Sequence, residues 1–205
     1  MKITEVEIAK INAALIKAGI NYADIRMELT DHIAAALEQE DGHGDFNHRL
    51  KGYMLNHKKD IRKMNFAAMR VAGAGSLKAF AANLLTLRIL LVATTLLAGA
   101  KLASQYLDNS DMVFLMFNVF SASTVLCSYR PVMNMLRKKA DYSFTHGLGF
   151  IPAVLFFPSI YMMRWLESFN VDYIILYYTA ASVLALNIYF TTHKLFANYK
   201  KQYYV

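Results

Sequence analysis

The chain has almost nothing with which to build a staple or a conventional active site. A single cysteine, Cys127, excludes an internal disulfide and a cysteine-based zinc site. Three prolines in 205 residues exclude a proline-rich stalk. There is no G-x-S-x-G, no P-loop, no H-E-x-x-H and no glycine-rich dinucleotide turn, so the enzyme classes built on those motifs are excluded. Charge is scarce too: 18% of residues, against about 25% in soluble domains. The deficit lies in residues 81–205, which hold 10 Lys/Arg and only 5 Asp/Glu. What fills that region is apolar, in keeping with a chain that is 56% hydrophobic. A wholly soluble domain and a disordered chain are both excluded on these grounds.

Four apolar stretches have the length of membrane spans: 83–106, 112–129, 145–165 and 172–192. About 20 apolar residues cross ~30 Å of hydrocarbon. The second stretch carries no charge at all. The first contains Arg88 and Lys101, about 20 Å apart along a helix at ~1.5 Å per residue, so each can snorkel to its own interface. The third contains Pro152 and Pro158, each expected to kink it. The charges between spans set the direction. Asp108 and Asp111 follow the first span, and the third connection carries Arg164, Glu167 and Asp172. Arg130, Arg137, Lys138 and Lys139, against Asp141, lie between the second and third spans, and Lys194, Lys200 and Lys201 follow the fourth. Lys/Arg-rich connections stay in the cytoplasm. Both termini are therefore expected inside a bacterial inner membrane, with no cleavable leader at the start.

The first part of the chain reads as a small helical head. Thr4 and Glu7 form a capping box, followed by a stripe of Ile8, Ile11, Leu15 and Ala18 and a C-cap at Gly19. A second helix is expected over 22–39, with Ile25, Leu29, Ile33, Ala36 and Leu37 as its packed face and His32 on the same side. A third is expected over 46–64. The glycines at 73 and 75 read as a hinge. The organisation is thus all-α: a three-helix cytoplasmic head (1–70), a hinge and interfacial segment (71–82), a four-helix transmembrane bundle (83–193) and a cytoplasmic tail (194–205).

Charge is lopsided within the head: residues 1–45 carry a net −5 and residues 46–80 a net +7. The basic run Lys58, Lys59, Arg62, Lys63 and Arg70 is placed to meet anionic lipid, at about 1 kcal/mol per cation near the surface. That would turn an acidic surface, including Asp24, Glu28, Asp31 and Glu38, toward a cytoplasmic protein partner. The positive-inside pattern accounts for the basic excess without nucleic acid, so no nucleic-acid partner is expected. His43, His48 and His57, with Glu38, Glu40, Asp41 and Asp45, match no tight metal spacing, and a solvated loop is the default reading. Inside the spans Arg88, Lys101, Asn118 and Asn187 are the polar residues that need partners. His146 and His193 are the remaining titratable groups at the cytoplasmic ends.

The helix Glu28-Leu29-Thr30-Asp31-His32-Ile33, with Glu38 and the following Phe46 helix, resembles the E-L-x-D-H-I helix of permease-prefix and HAAS-like head domains. These precede the transmembrane helices of bacterial inner-membrane proteins. The resemblance covers residues 4–64 and implies a regulatory, binding or scaffold role, with Glu28, Asp31, His32 and Glu38 as the motif surface. No enzyme activity and no cofactor is expected. A homo-oligomer is compatible with the sequence, as is a second reading: a small transporter or channel subunit whose kinked third span lines a path.

Overall fold

The computed structural model describes residues 2–39, 45–136, 142–148 and 151–203. Glu40, Asp41 and His43 of the histidine cluster lie outside them, as do Arg137, Lys138, Lys139 and Asp141 of the basic connection. The chain is 87% helix with no strand among the described residues, so it is all-α.

Helix α1 (Glu5–Lys17) begins on the capping box: the Thr4 hydroxyl accepts from the Glu7 N–H at 3.4 Å, and the Glu7 carboxylate accepts from the Thr4 N–H at 2.8 Å. It ends in two closing bonds, Gly19 N–H to the Ile16 carbonyl and Ile20 N–H to the Leu15 carbonyl, with Gly19 at φ +87°. That left-handed turn is where glycine is needed. It drops Ile20 into the core beside Ile11 and Leu15. Arg26 of α2 (Ala23–Gln39) locks the corner, donating to Asn12 at 3.0 Å and to the Asn21 carbonyl at 2.6 Å. Ile25, Leu29, Ile33 and Leu37 pack on α1, on Leu50 of α3 (Phe46–Asn56) and on Ile61 of α4 (Lys58–Leu84).

Two expectations for the head need correction. The third helix does not run from 46 to 64; it ends at Asn56, turns at His57 and gives way to α4. Nor is 71–82 a hinge, because α4 continues through Gly73 and Gly75 to Leu84. Glycine inside a helix costs roughly 0.5–1 kcal/mol against alanine. Tertiary packing offsets this: short α7 (Phe144–Leu148) lies against α4, and Gly73 and Ser76 are the buried positions of that stretch.

At Leu85 and Thr86 the chain breaks and bends by 60° into α5 (Leu87–Ala103). The apolar half then adds α6 (Asn109–Leu136), α8 (Ile151–Leu166) and α9 (Val171–Tyr203). Among the described residues two helices are long and apolar enough to cross a membrane: α6 over Asn109–Tyr129 and α9 over Val171–Tyr199. The bent pair α4–α5 makes a third if taken as one span, and α8 is a shorter apolar helix. The expected four spans are therefore unequal. Residues 145–165 are shared between α7 and α8, and Pro152 falls in the first turn of α8, where a missing N–H breaks nothing. Of the two prolines in that stretch, Pro158 is the one in the helix interior. Helix α9 is the axis of this half, with α5 on one side, α6 on the other and α8 against both α6 and α9. Its core is Met112, Met116 and Phe120 of α6 against Ile174, Tyr178 and Ala181 of α9. Residues 194–203, expected as a tail, are the last turns of α9.

Candidate functional site

The head is fastened to the apolar half by a buried polar contact away from the α4 chain itself. Asp24, in the first turn of α2, is buried, and its carboxylate accepts from the Ser143 N–H at 3.1 Å and from the Ser143 hydroxyl. Ser143 is itself 1% exposed. Around this bond Tyr142 and Phe144 pack on Phe196 and Tyr199 of α9, with ring centroids 5.0–5.5 Å apart, and Ala23 closes the cluster. A carboxylate taken from water is stable only with strong hydrogen bonds, and a buried serine donating twice supplies them. Ser143 and Asp24 thus form a latch between the two bodies.

A second polar link lies where α4 breaks. Asn187 of α9 is fully buried; its amide donates to the Phe80 carbonyl at 2.9 Å and its oxygen accepts from Asn83 at 2.6 Å. Asn83 also reaches Thr191 at 3.3 Å. Of the four polar residues expected in the spans, Asn187 thus ties α9 to α4. Arg88 lies over the Phe190 ring at 5.2 Å, Lys101 pairs with Asp172 at the far end of α9, and Asn118 bonds back to the Phe114 carbonyl of its own helix at 2.7 Å. The four do not converge on a path.

The motif surface is only partly as expected. Glu28, Asp31 and Glu38 are exposed, and Glu38 accepts from the Ile3 N–H at 2.9 Å. His32 is exposed as well, not on the packed side. Buried Ala23 and Thr30 extend the α2 arc on the side of Leu29 away from His32, which leaves His32 on the other flank, in one four-residue row with Glu28 and Asp24. Asp24, expected on the acidic outer surface, is the latch instead. The basic run divides in two. Lys58 and Arg62 rim a groove with Lys17 and Lys51, whereas Lys59, Lys63 and Arg70 share the outer flank of α4 with exposed Phe66 and Leu77. Arg70 stacks on Phe66 at 5.0 Å. His48 and His57 stay on α3 and the turn after it, where His57 stacks on Tyr53 and faces Asp60 at 3.5 Å. Among the described residues no three His, Cys, Asp or Glu side chains converge on a metal position. Cys127 is buried. The His146 side chain lies outside the described positions.

Compared with models of protein families, with curated proteins and with solved structures, the chain matches none.

Proposed function

We propose that this is a multi-pass protein of the bacterial inner membrane, with both termini cytoplasmic, four spans (α5, α6, α8 and α9) and a helical head that binds a cytoplasmic protein. Its role is regulation or scaffolding. The observation that carries this reading is the Asp24–Ser143 latch. It fastens the head to the connection between α6 and α8, so a partner bound to the head is held beside those helices. The E-L-x-D-H-I resemblance supports the same role. The outer flank of α4 supports contact with anionic lipid: Lys59, Lys63 and Arg70 alternate with exposed Phe66 and Leu77, the pattern of an interfacial helix. A transport path is disfavoured because Arg88, Lys101, Asn118 and Asn187 are engaged at four separate places and do not converge. The test has two arms. Cysteines at exposed Ser110 and Ser168 are labelled from the periplasmic side and a cysteine at Lys59 is not. A protein co-purifies with the intact chain but not with one lacking residues 1–70. Periplasmic labelling at position 59, or identical co-purification, overturns the proposal.

A further inference from the structure

The head holds a groove of about 480 Å³ between the end of α1, α3 and the start of α4. Its floor is apolar, with Ile20, Leu50, Met54 and Ile61. Its rim is cationic: Lys17 on the α1 side, Lys51, Lys58 and Arg62 on the α3–α4 side, and no acidic residue lines it. Lys51, Leu55, Lys58 and Arg62 recur at intervals of four, three and four residues, the spacing of one helix face carried across the His57 turn. Leu55, in the middle of that face, is 65% exposed. This is an unpartnered apolar trough with charge of one sign on both banks.

We infer that this groove receives an acidic amphipathic helix of a cytoplasmic protein, its apolar stripe on the floor and over Leu55, its Asp/Glu flanks against the four cations. The inference deepens the proposed function, naming the chemistry of the partner that the head binds. Apolar anchors at i, i+3/i+4 and i+7 are what a helix lays into such a trough, and opposed charges on the banks supply on-rate and register. A bilayer is the poorer occupant. The α4 cations suited to lipid, Lys59, Lys63 and Arg70, lie on another flank of that helix, so a head resting on lipid turns the groove away from the bilayer.

The test uses the full chain in phosphatidylcholine nanodiscs and three fluorescent synthetic 18-residue helices. One has Leu at a/d spacing with Glu elsewhere, one has the same Leu with Lys elsewhere, and one has the Leu/Glu composition scrambled. The Leu/Glu helix binds, the other two bind at least about tenfold more weakly, and its affinity falls with salt as exposed charge contacts are screened. Lys51→Glu/Lys58→Glu weakens it about tenfold or more, two exposed contacts being lost and reversed, whereas Lys59→Gln/Lys63→Gln leaves it unchanged. Leu55→Ser weakens it with charge intact. Circular dichroism of each variant checks that the head is folded. Absence of Leu/Glu binding up to about 1 mM, equal binding of the Leu/Lys helix, or full affinity in the folded Lys51/Lys58 variant overturns the inference. So does displacement of the peptide by phosphatidylglycerol added to the nanodiscs, which would make the groove a lipid site. None of these results touches the labelling or co-purification arms above.

Discussion

Replacing Asp24 by alanine should release the head from the apolar half without unfolding either. The carboxylate holds two donors of Ser143, the backbone N–H at 3.1 Å and the hydroxyl, in a site where both residues are at most 5% exposed. Hydrogen bonds to a charged acceptor contribute about 1.5–3 kcal/mol each, and a buried donor left without a partner costs about 1–3 kcal/mol. Water entering the vacated space recovers part of this, so the net loss is about 3 kcal/mol, roughly a hundredfold in the docking equilibrium. Amide exchange reads that ratio, because protection at a local contact tracks the free energy of opening it. In nanodiscs, protection of the Phe144–Leu148 amides should fall about a hundredfold, while the Ile11 and Leu29 amides of the head core keep theirs. Asp24→Asn keeps an oxygen for the Ser143 N–H and should lose about tenfold, about 1.4 kcal/mol. Ser143→Ala, which keeps the backbone bond, should lose a comparable amount. Protection at 144–148 within twofold of the parent in Asp24→Ala would refute the latch. Loss of protection throughout the head would show that Asp24 belongs to its folding instead.

Two further outcomes follow from single contacts. Asn187→Ala removes the amide that holds Asn83 and the Phe80 carbonyl, and should cost about 1 kcal/mol in unfolding from mixed detergent micelles, the usual scale for a polar link between apolar helices; an unchanged unfolding midpoint would mean that the α4–α5 break needs no such tie. Glu7 is held below the ordinary carboxylate pKa, first by the Thr4 N–H and then by the Thr4 hydroxyl. Its contribution to α1 is therefore complete above the unfolded value of about 4.3 and disappears as pH falls through the lower folded value. A carboxyl-carbon NMR titration should place the Glu7 midpoint below the ordinary one and Thr4→Ala should raise it; a normal midpoint in the parent chain counts against the capping box.

Features determined within a few residues of sequence were legible beforehand. The capping box at Thr4–Glu7 and the glycine turn at position 19 depend on neighbours three to five positions away, and the structure has both. The stripe of Ile25, Leu29, Ile33 and Leu37 was equally plain; that His32 is exposed was not, because it sits at the edge of that stripe and buried Thr30 widens the arc on the side away from it. The latch joins residues 119 positions apart, and nothing local distinguishes Asp24 from any acidic residue in a helix's first turn. One signal lay in the sequence: Phe196 and Tyr199 continue an apolar face past Lys194, where a solvated tail would be polar. The basic run was read as one patch from its density. Helical angle splits it, since Lys58 and Arg62 lie on one flank of α4 and Lys59, Lys63 and Arg70 on the other.

The glycine-rich stretch bears most on how the head is joined to the apolar half. Read as a hinge, residues 71–82 would let the head wander at the end of a flexible tether, and binding at the head would reach the spans only by changing local concentration. As part of α4 the same residues fix direction. One helix carries Arg62 of the groove, buried Gly73 and Ser76, and Asn83, the partner of Asn187. The Asp24–Ser143 latch makes a second, independent attachment. Two attachments allow two arrangements, latched and unlatched, with α4 common to both. A ligand shifts such an equilibrium only by its difference in affinity for the two states. A helix seated between α1 and α4 therefore changes the latch only if undocking alters the α1–α4 spacing. Comparing the affinity of the Leu/Glu helix for the parent chain and for Asp24→Ala measures that coupling. Equal affinities make the head a passive dock, and unequal ones make it a switch.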